Sequence, residues 1–258
     1  MSTAVVTGAG RGIGRAISAR LAADGFSVVC ADVDGAAAEE SASAVGGTAV
    51  RCNVADLAEV EALARSLDEL SVLVNNAGIW RFTPIAATTI DDFHAVINTN
   101  LLGTMLCTQA LVPVMARNGG GSVVNLTSIA AKTVTPGVGI YPASKAAVIA
   151  LTKQTAIEYA ELGVRCNAVG PGLVPTEGTG DVHGAGAEEQ VARGRMVPLG
   201  RLGAPDDIAD VVSFFASPAS RYVTGQVVYV DGGLTEATLP LLSRALDGSI
   251  EQRRTAYA

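Results

Sequence analysis

The chain has 258 residues, of which 49% are hydrophobic and 17% charged, with a net charge of −7. An average globular chain carries roughly 25% charged residues, so this one has ample core and a thinly charged surface, which predicts a buried subunit interface. No basic stripe exists to neutralise phosphates, and nucleic acid is excluded as an expected partner.

Met1-Ser2-Thr3 runs at once into Ala4-Val5-Val6 without a basic leader, so a cytoplasmic location and no signal peptide are expected. The apolar run Leu101–Ala116 is interrupted by Thr104, Thr108, Gln109 and Pro113. It reads as a buried helix, with no membrane partner. Cys30, Cys52, Cys107 and Cys166 are scattered and His94 and His183 are isolated, so free thiols and no metal site are expected.

Taken in order, Thr3–Val6 reads as a strand that ends in Thr7-Gly8-Ala9-Gly10-Arg11-Gly12-Ile13-Gly14, with a periodic helix behind it. Glycines between a strand and a helix let backbone approach a pyrophosphate, and the helix start supplies N–H groups. Phe26–Ala31 is a second strand with Asp32 at its end, at the distance where an acid accepts from an adenosine ribose. Such an acid repels a 2′-phosphate, so NAD is expected over NADP; Arg11 is the one feature pointing the other way. Asp32 also qualifies as an N-cap for the alanine-rich helix that follows.

Thr48–Cys52 is the third strand, with Asn53 and Val54 at its exit, and Leu57–Leu70 is helical by pattern. Val72–Val74 is the fourth strand and ends in Asn75-Asn76-Ala77-Gly78, where two amides and two small residues suit packing on a cofactor. One helix is expected over Ile90–Arg117. Asn100 lies inside it in apolar company, which is unfavourable unless its amide is engaged. Ser122–Leu126 is the fifth strand, with Thr127 and Ser128 on the crevice side.

Tyr141-Pro142-Ala143-Ser144-Lys145 opens a helix, and the i, i+4 spacing puts Tyr141 and Lys145 on one face. An ammonium about 4 Å from a phenolate is worth about 4 kcal/mol at an effective dielectric near 20. That is enough to bring a tyrosine into working range as an acid or base. Val164–Val169 is the sixth strand, followed by Pro171-Gly172 and Thr176. The polar, glycine-rich stretch around 177–198 reads as a lid. Gln226–Val230 is the last strand, and residues 235–258 form an extension, amphipathic at Leu239, Leu242 and Leu246.

Strands alternating with helices predict one α/β domain over residues 1–234. It is a doubly wound parallel sheet (Rossmann fold) in three α/β/α layers, with strand order 3-2-1-4-5-6-7.

These motifs together resemble the short-chain dehydrogenase/reductase family from about Thr3 to Leu234. The matching residues are Thr7-Gly8-x-x-x-Gly12-x-Gly14, Asn75-Asn76-Ala77-Gly78, Asn100, Ser128, Tyr141-x-x-x-Lys145 and Pro171-Gly172-x-x-x-Thr176. The resemblance implies that Tyr141 exchanges the proton with the substrate oxygen and that Ser128 hydrogen-bonds that oxygen. Lys145 lowers the tyrosine pKa and binds the nicotinamide ribose, and Asn100 holds a water linking Lys145 to solvent. It implies a cofactor site of Gly8, Arg11, Gly12, Ile13, Gly14, Asp32, Asn53, Val54, Asn76, Ala77, Gly78, Tyr141, Lys145, Pro171, Gly172, Val174 and Thr176. A substrate pocket of Trp80, Ser128, Ile129, Ala130, Val138 and Leu173 also follows. Asn53 stands where many members carry aspartate.

The expected activity is hydride transfer between NAD(H) and a small secondary alcohol or ketone, in a homotetramer or homodimer joined through the Ile90–Arg117 helix and the Tyr141 helix. One alternative is an NADPH-dependent 3-oxoacyl-[acyl-carrier-protein] reductase. Its basic carrier-docking places look like Ser122 and Leu162 here, with Glu161 adjacent, which argues against it. A dinucleotide-binding sensor or scaffold without turnover is the remote alternative.

Overall fold

The computed structural model describes residues 2–177 and 186–237. Seven parallel strands lie in the order 3-2-1-4-5-6-7: β1 Thr3–Thr7, β2 Ser27–Asp32, β3 Thr48–Arg51, β4 Val72–Asn75, β5 Gly121–Leu126, β6 Val164–Pro171 and β7 Val227–Val230. Several strands run further toward their carboxyl ends than hydropathy predicts. Pairing continues through Thr7↔Ala31, Asp32↔Arg51, Asn75↔Asn125 and Pro171↔Val230. Polar residues expected in loops are thus the last rungs of the ladder, held where the sheet is rigid.

Successive strand residues face opposite ways, so each strand feeds two cores. Ala4 and Val6 pack with Ile17, Leu21, Ile208 and Phe215 on one face. Val5 packs with Leu73, Leu111, Met115 and Val123 on the other. The first face is covered by α1 (Gly12–Ala23), α2 (Gly35–Val45) and a late helix over Pro205–Ala216. The second is covered by α3 (Leu57–Arg65), α4 (Ile90–Ile97), α5 (Gly103–Arg117) and α6 (Tyr141–Glu158). The extension's Leu239, Leu242 and Leu246, together with residues 178–185 of the expected lid, lie outside the described residues; Ala187–Gly194 of that stretch is helical, as α7.

Two helices depart from expectation. The third ends at Arg65 rather than Leu70, because Ser66 turns its hydroxyl onto Leu63 O at 2.7 Å and closes the last turn. The expected single helix over Ile90–Arg117 is broken by a π-helical turn at Asn98–Leu102. The wide turn resolves the puzzle of a mid-helix asparagine, since it directs Asn100 inward, fully buried, to where its amide finds partners. By length and apolarity Ile90–Arg117 is sufficient to cross a membrane, yet half of its apolar window is buried in the protein.

Candidate functional site

The glycine loop leaves β1 at the carboxyl edge of the sheet. Gly12 has φ +54°, and a Cβ there would stand 3.1 Å from Thr176. At Gly14 a Cβ would lie 2.0 Å from Gly8 O, so this glycine is required by the loop's own packing before any ligand is considered. Helix α1 follows Arg11 at its N-cap, which supplies no side-chain cap, so its first N–H groups have no side-chain partner from that residue. A cavity of about 560 Å³ borders Gly12, Arg15, Pro175 and Thr176 on this side; Ser128 and Tyr141 do not line it.

Asp32 does not cap α2. Asp34 does, accepting from Ala36 N and Ala37 N. Asp32 instead accepts from Gly10 N at 2.8 Å and Asp34 N at 3.0 Å, which fixes its carboxylate beside the loop. Arg11 is exposed. Asn53 is exposed, and its Oδ1 takes Ala55 N at 3.1 Å.

The floor of the crevice is made by the exit of β4. Asn76 gives both amide hydrogens to Thr7 O and Gly8 O at 2.9 Å, while the Thr7 hydroxyl accepts from Asn76 N and Ala77 N. Asn75 faces inward to Thr108 and Asn125. Both amides thus brace the loop, and Asn76 stays half-exposed at the crevice floor. The side chains of Val54 and Val174 are buried, close to Gly103 and Gly203. At Gly78 a Cβ would stand 3.2 Å from Lys145 Nζ and 3.4 Å from Asn100 Oδ1, so a small residue fits best there. Pro171 is buried at the end of β6, and Gly172 lies so close to Asp231 that a Cβ would sit 2.6 Å from its Cα.

Ser128 stands at the N-cap of the short turn Ile129–Ala131, accepting from Ala130 N. Lys145 is buried, with Nζ 5.9 Å from the Tyr141 ring centre and donating to Leu126 O at 2.8 Å. The simple picture of an ammonium depressing the phenol is not what this geometry gives. Burial pushes the Tyr141 phenol up, and its bond with Ser128 pulls partly back. Burial also lowers Lys145 from 10.5 to about 8. Desolvation is the leading cause at both groups, since it disfavours the charged form of each.

The Asn100 amide is engaged throughout: Oδ1 accepts from Ile79 N at 2.8 Å, and Nδ2 donates to Ile79 O at 2.9 Å and Ser144 Oγ at 3.0 Å. Its backbone carbonyl takes the Thr104 hydroxyl. These bonds anchor the Asn100 side chain to the Ile79 backbone and to α6. Ser144, which the sequence reading passed over, joins Asn100 to Tyr141 O at 2.7 Å. A serine inside a helix that back-bonds to its own preceding turn was the available signal.

Trp80, Ile129, Ala130, Val138 and Leu173 are all half-buried. Arg81 pairs with Asp92, and Trp80 packs near Phe82. Ser122 is buried and donates to Phe215 O, so it is no surface docking place. All four cysteines are buried and free, with thiols raised by desolvation, Cys52 to about 11 and Cys166 to about 12.

A dinucleotide fits these residues. The uncapped helix start could hold anionic phosphates and the Asp32 carboxylate could accept from ribose hydroxyls, with Ser128, Tyr141 and Lys145 near the end of β5. A fold and site of this kind define a dinucleotide-dependent oxidoreductase. The chain belongs to the short-chain dehydrogenase/reductase family. The profile of the family described as Enoyl-(Acyl carrier protein) reductase matches residues 8–235. Over 242 residues the chain is 41% identical to a 3-oxoacyl-[acyl-carrier-protein] reductase of Synechocystis sp., covering 90% of this chain and 96% of that one. It is 41% identical over 249 residues to a (3R)-3-hydroxyacyl-CoA dehydrogenase of Mus musculus, covering 90% and 95%. A solved short chain dehydrogenase/reductase family protein superposes with a TM-score of 0.83 at 36% identity, covering 90% of this chain and 97% of that one.

Proposed function

We propose that the protein moves hydride reversibly between NAD(H) and C3 of a 3-oxoacyl or 3-hydroxyacyl thioester. This replaces the expectation of a small alcohol or ketone. The similar proteins are named for acyl thioesters, and the alignment spans nearly their whole length. The observation that carries the reading is the buried Lys145, whose Nζ lies on Leu126 O, two residues before Ser128, and 5.9 Å from the Tyr141 ring centre.

A bound nicotinamide supplies or accepts the hydride. Tyr141, kept protonated near neutral pH by its burial, gives its proton to the forming alkoxide and recovers it in the reverse direction. Ser128 orients the substrate oxygen. Lys145 offsets the tyrosinate charge while protonated, which holds below about pH 8. Asn100 acts as a positioning residue, joining the π-helical turn to the start of α6 through Ser144.

Asp32, held by Gly10 N and Asp34 N, favours the unphosphorylated dinucleotide. A coenzyme A ester is preferred over an acidic carrier protein. Lys132, four residues past Ser128, is paired with Glu236, and Arg81 is paired with Asp92, so neither offers an unneutralised cation to a carrier. Exposed Ile90, Phe93, Met105 and Ile157 on α4, α5 and α6 supply an apolar face for a homotetramer or homodimer.

The test is cofactor oxidation with acetoacetyl-CoA, an acyl-carrier-protein thioester, an enoyl thioester and simple ketones, using NADH and NADPH in parallel. Turnover is expected with acetoacetyl-CoA and NADH. Reduction of simple ketones with none of any 3-oxoacyl thioester would sink the reading.

A further inference from the structure

Three arginines stand near the Asp32 carboxylate, and their pairing differs. Arg15 is turned to Glu40 and to Gly10 O. Arg11 is exposed at the tip of the glycine loop. Arg51 is the residue directly opposite Asp32 in the β2–β3 ladder. In a parallel pair, opposed residues project from the same face, so Arg51 is the cation the sheet places beside Asp32. Its stem runs over Gly35, at the start of α2, where an added Cβ would meet it at 3.5 Å.

Arg51 nevertheless pairs elsewhere. Its Nη1 donates to both carboxylate oxygens of Glu59, at 3.0 and 3.1 Å. Glu59 is itself anchored, accepting Asn53 N at 2.7 Å, and it sits in the first turn of α3 behind the Asp56 cap. Asn53 belongs to the same nucleotide end, so one carboxylate ties the β3 exit to the guanidinium. An exposed ion pair adds little to fold stability. Its effect here is on charge: Asp32, Arg51 and Glu59 together leave one net negative charge at this end, and the guanidinium is drawn away from Asp32.

We infer that Glu59, by holding Arg51 off Asp32, is a specificity-determining residue that sets the preference for the unphosphorylated dinucleotide. With Glu59 neutral, Arg51 is released into the space beside Asp32, where a 2′-phosphate offers it a charge-assisted partner. The inference rests on the reading that this end receives the adenosine ribose of a nicotinamide dinucleotide.

The experiment is fluorescence titration of the purified protein with NADH and with NADPH, repeated by calorimetry with the fragments 5′-AMP and 2′,5′-ADP. Wild type is expected to favour NADH and 5′-AMP. Glu59→Gln is expected to narrow that preference about tenfold, the size of one hydrogen bond to a charged group. The Arg51→Gln/Glu59→Gln double variant is expected to restore it. Should Glu59→Gln fail to fold, Glu59→Asp keeps the carboxylate at the helix start but shortens its reach, and a shift of about threefold in the same direction is expected, on the scale of an exposed ion pair. A preference unchanged within about twofold in the single variant overturns the inference, as does a double variant that keeps the narrowed preference. Failure to bind either cofactor would instead sink the dinucleotide reading itself, whatever the ratios.

Discussion

At the nucleotide end of the crevice, Gly8 to Gly14 and Asp32 are held mainly by backbone groups close by, and the charges around them stand largely in water, Arg51 on Glu59 and Arg15 on Glu40. At the chemical end, Asn100, Ser128, Tyr141 and Lys145 come from separate stretches; the ammonium is buried and the phenol, on a half-buried residue, is raised by desolvation. Pairing sets the charge at the first end; desolvation sets it at the second. Cofactor choice is therefore adjustable by surface substitutions, while the chemistry is sensitive to anything that admits water or opens the packing.

The sharpest way to break the contrast is at Tyr141. Tyr141→Phe removes the proposed proton donor to the substrate oxygen, and turnover should fall about a thousandfold. Cofactor affinity, measured by fluorescence, should stay within about threefold, because Tyr141 lies away from the glycine loop and Asp32 that hold the nucleotide end in this reading.

Lys145→Met separates function from stability. The folded pKa, about 8, lies below the ordinary lysine value, so the unfolded chain binds more protons between those two values. Stability therefore rises with pH through that window, and below it the buried ammonium costs about 3 kcal/mol. Losing the bond to Leu126 O returns about 1 kcal/mol of that. The variant should lose turnover about a hundredfold, yet resist urea by about 2 kcal/mol more at pH 7, with the gap closing by pH 10. Equal stability at both pH values would show that burial does not govern this lysine. In the wild type, the reduction rate should decline as pH rises through about 8, where Lys145 loses its proton.

Asp32→Ala tests the other end. It should weaken NADH about tenfold and leave NADPH nearly unchanged; an unaltered ratio of affinities would remove Asp32 from the ribose site. The smallest expected effect is Ser144→Ala. It leaves Asn100 Nδ2 short of one acceptor, and kcat should fall about fivefold at constant KM, the size of one neutral hydrogen bond. A rise in KM with kcat intact would make Ser144 a binding residue rather than a positioning one.

The parts legible in the sequence were those written in local pattern. Strand and helix alternation, the strand order, and the glycine loop between Thr7 and Gly14 follow from hydropathy period and turn chemistry. Asn100 drew notice because an amide in an apolar helix needs a reason. What was not legible depended on register and on the third dimension. Nothing local says that Asp34 caps α2 while Asp32 is held by Gly10 N. Nothing local says that Val54 faces the core or that Ser122 is covered by Phe215 O. The Asp32↔Arg51 opposition exists only once β2 and β3 are aligned. The i, i+4 rule placed Tyr141 and Lys145 on one face, but it carries no information about solvent, and solvent decided their protonation.

The bracing of the crevice floor has a thermodynamic consequence. Asn76 N–H and Ala77 N–H both end on the Thr7 hydroxyl, and the Asn76 amide reaches back to Thr7 O and Gly8 O. Two strand exits are thereby fastened into one plate, whose amides should exchange with deuterium only as slowly as the sheet itself opens. A ligand landing on that plate has little backbone freedom left to quench there, so the entropy of association falls on the dinucleotide and on the walls rather than on the floor.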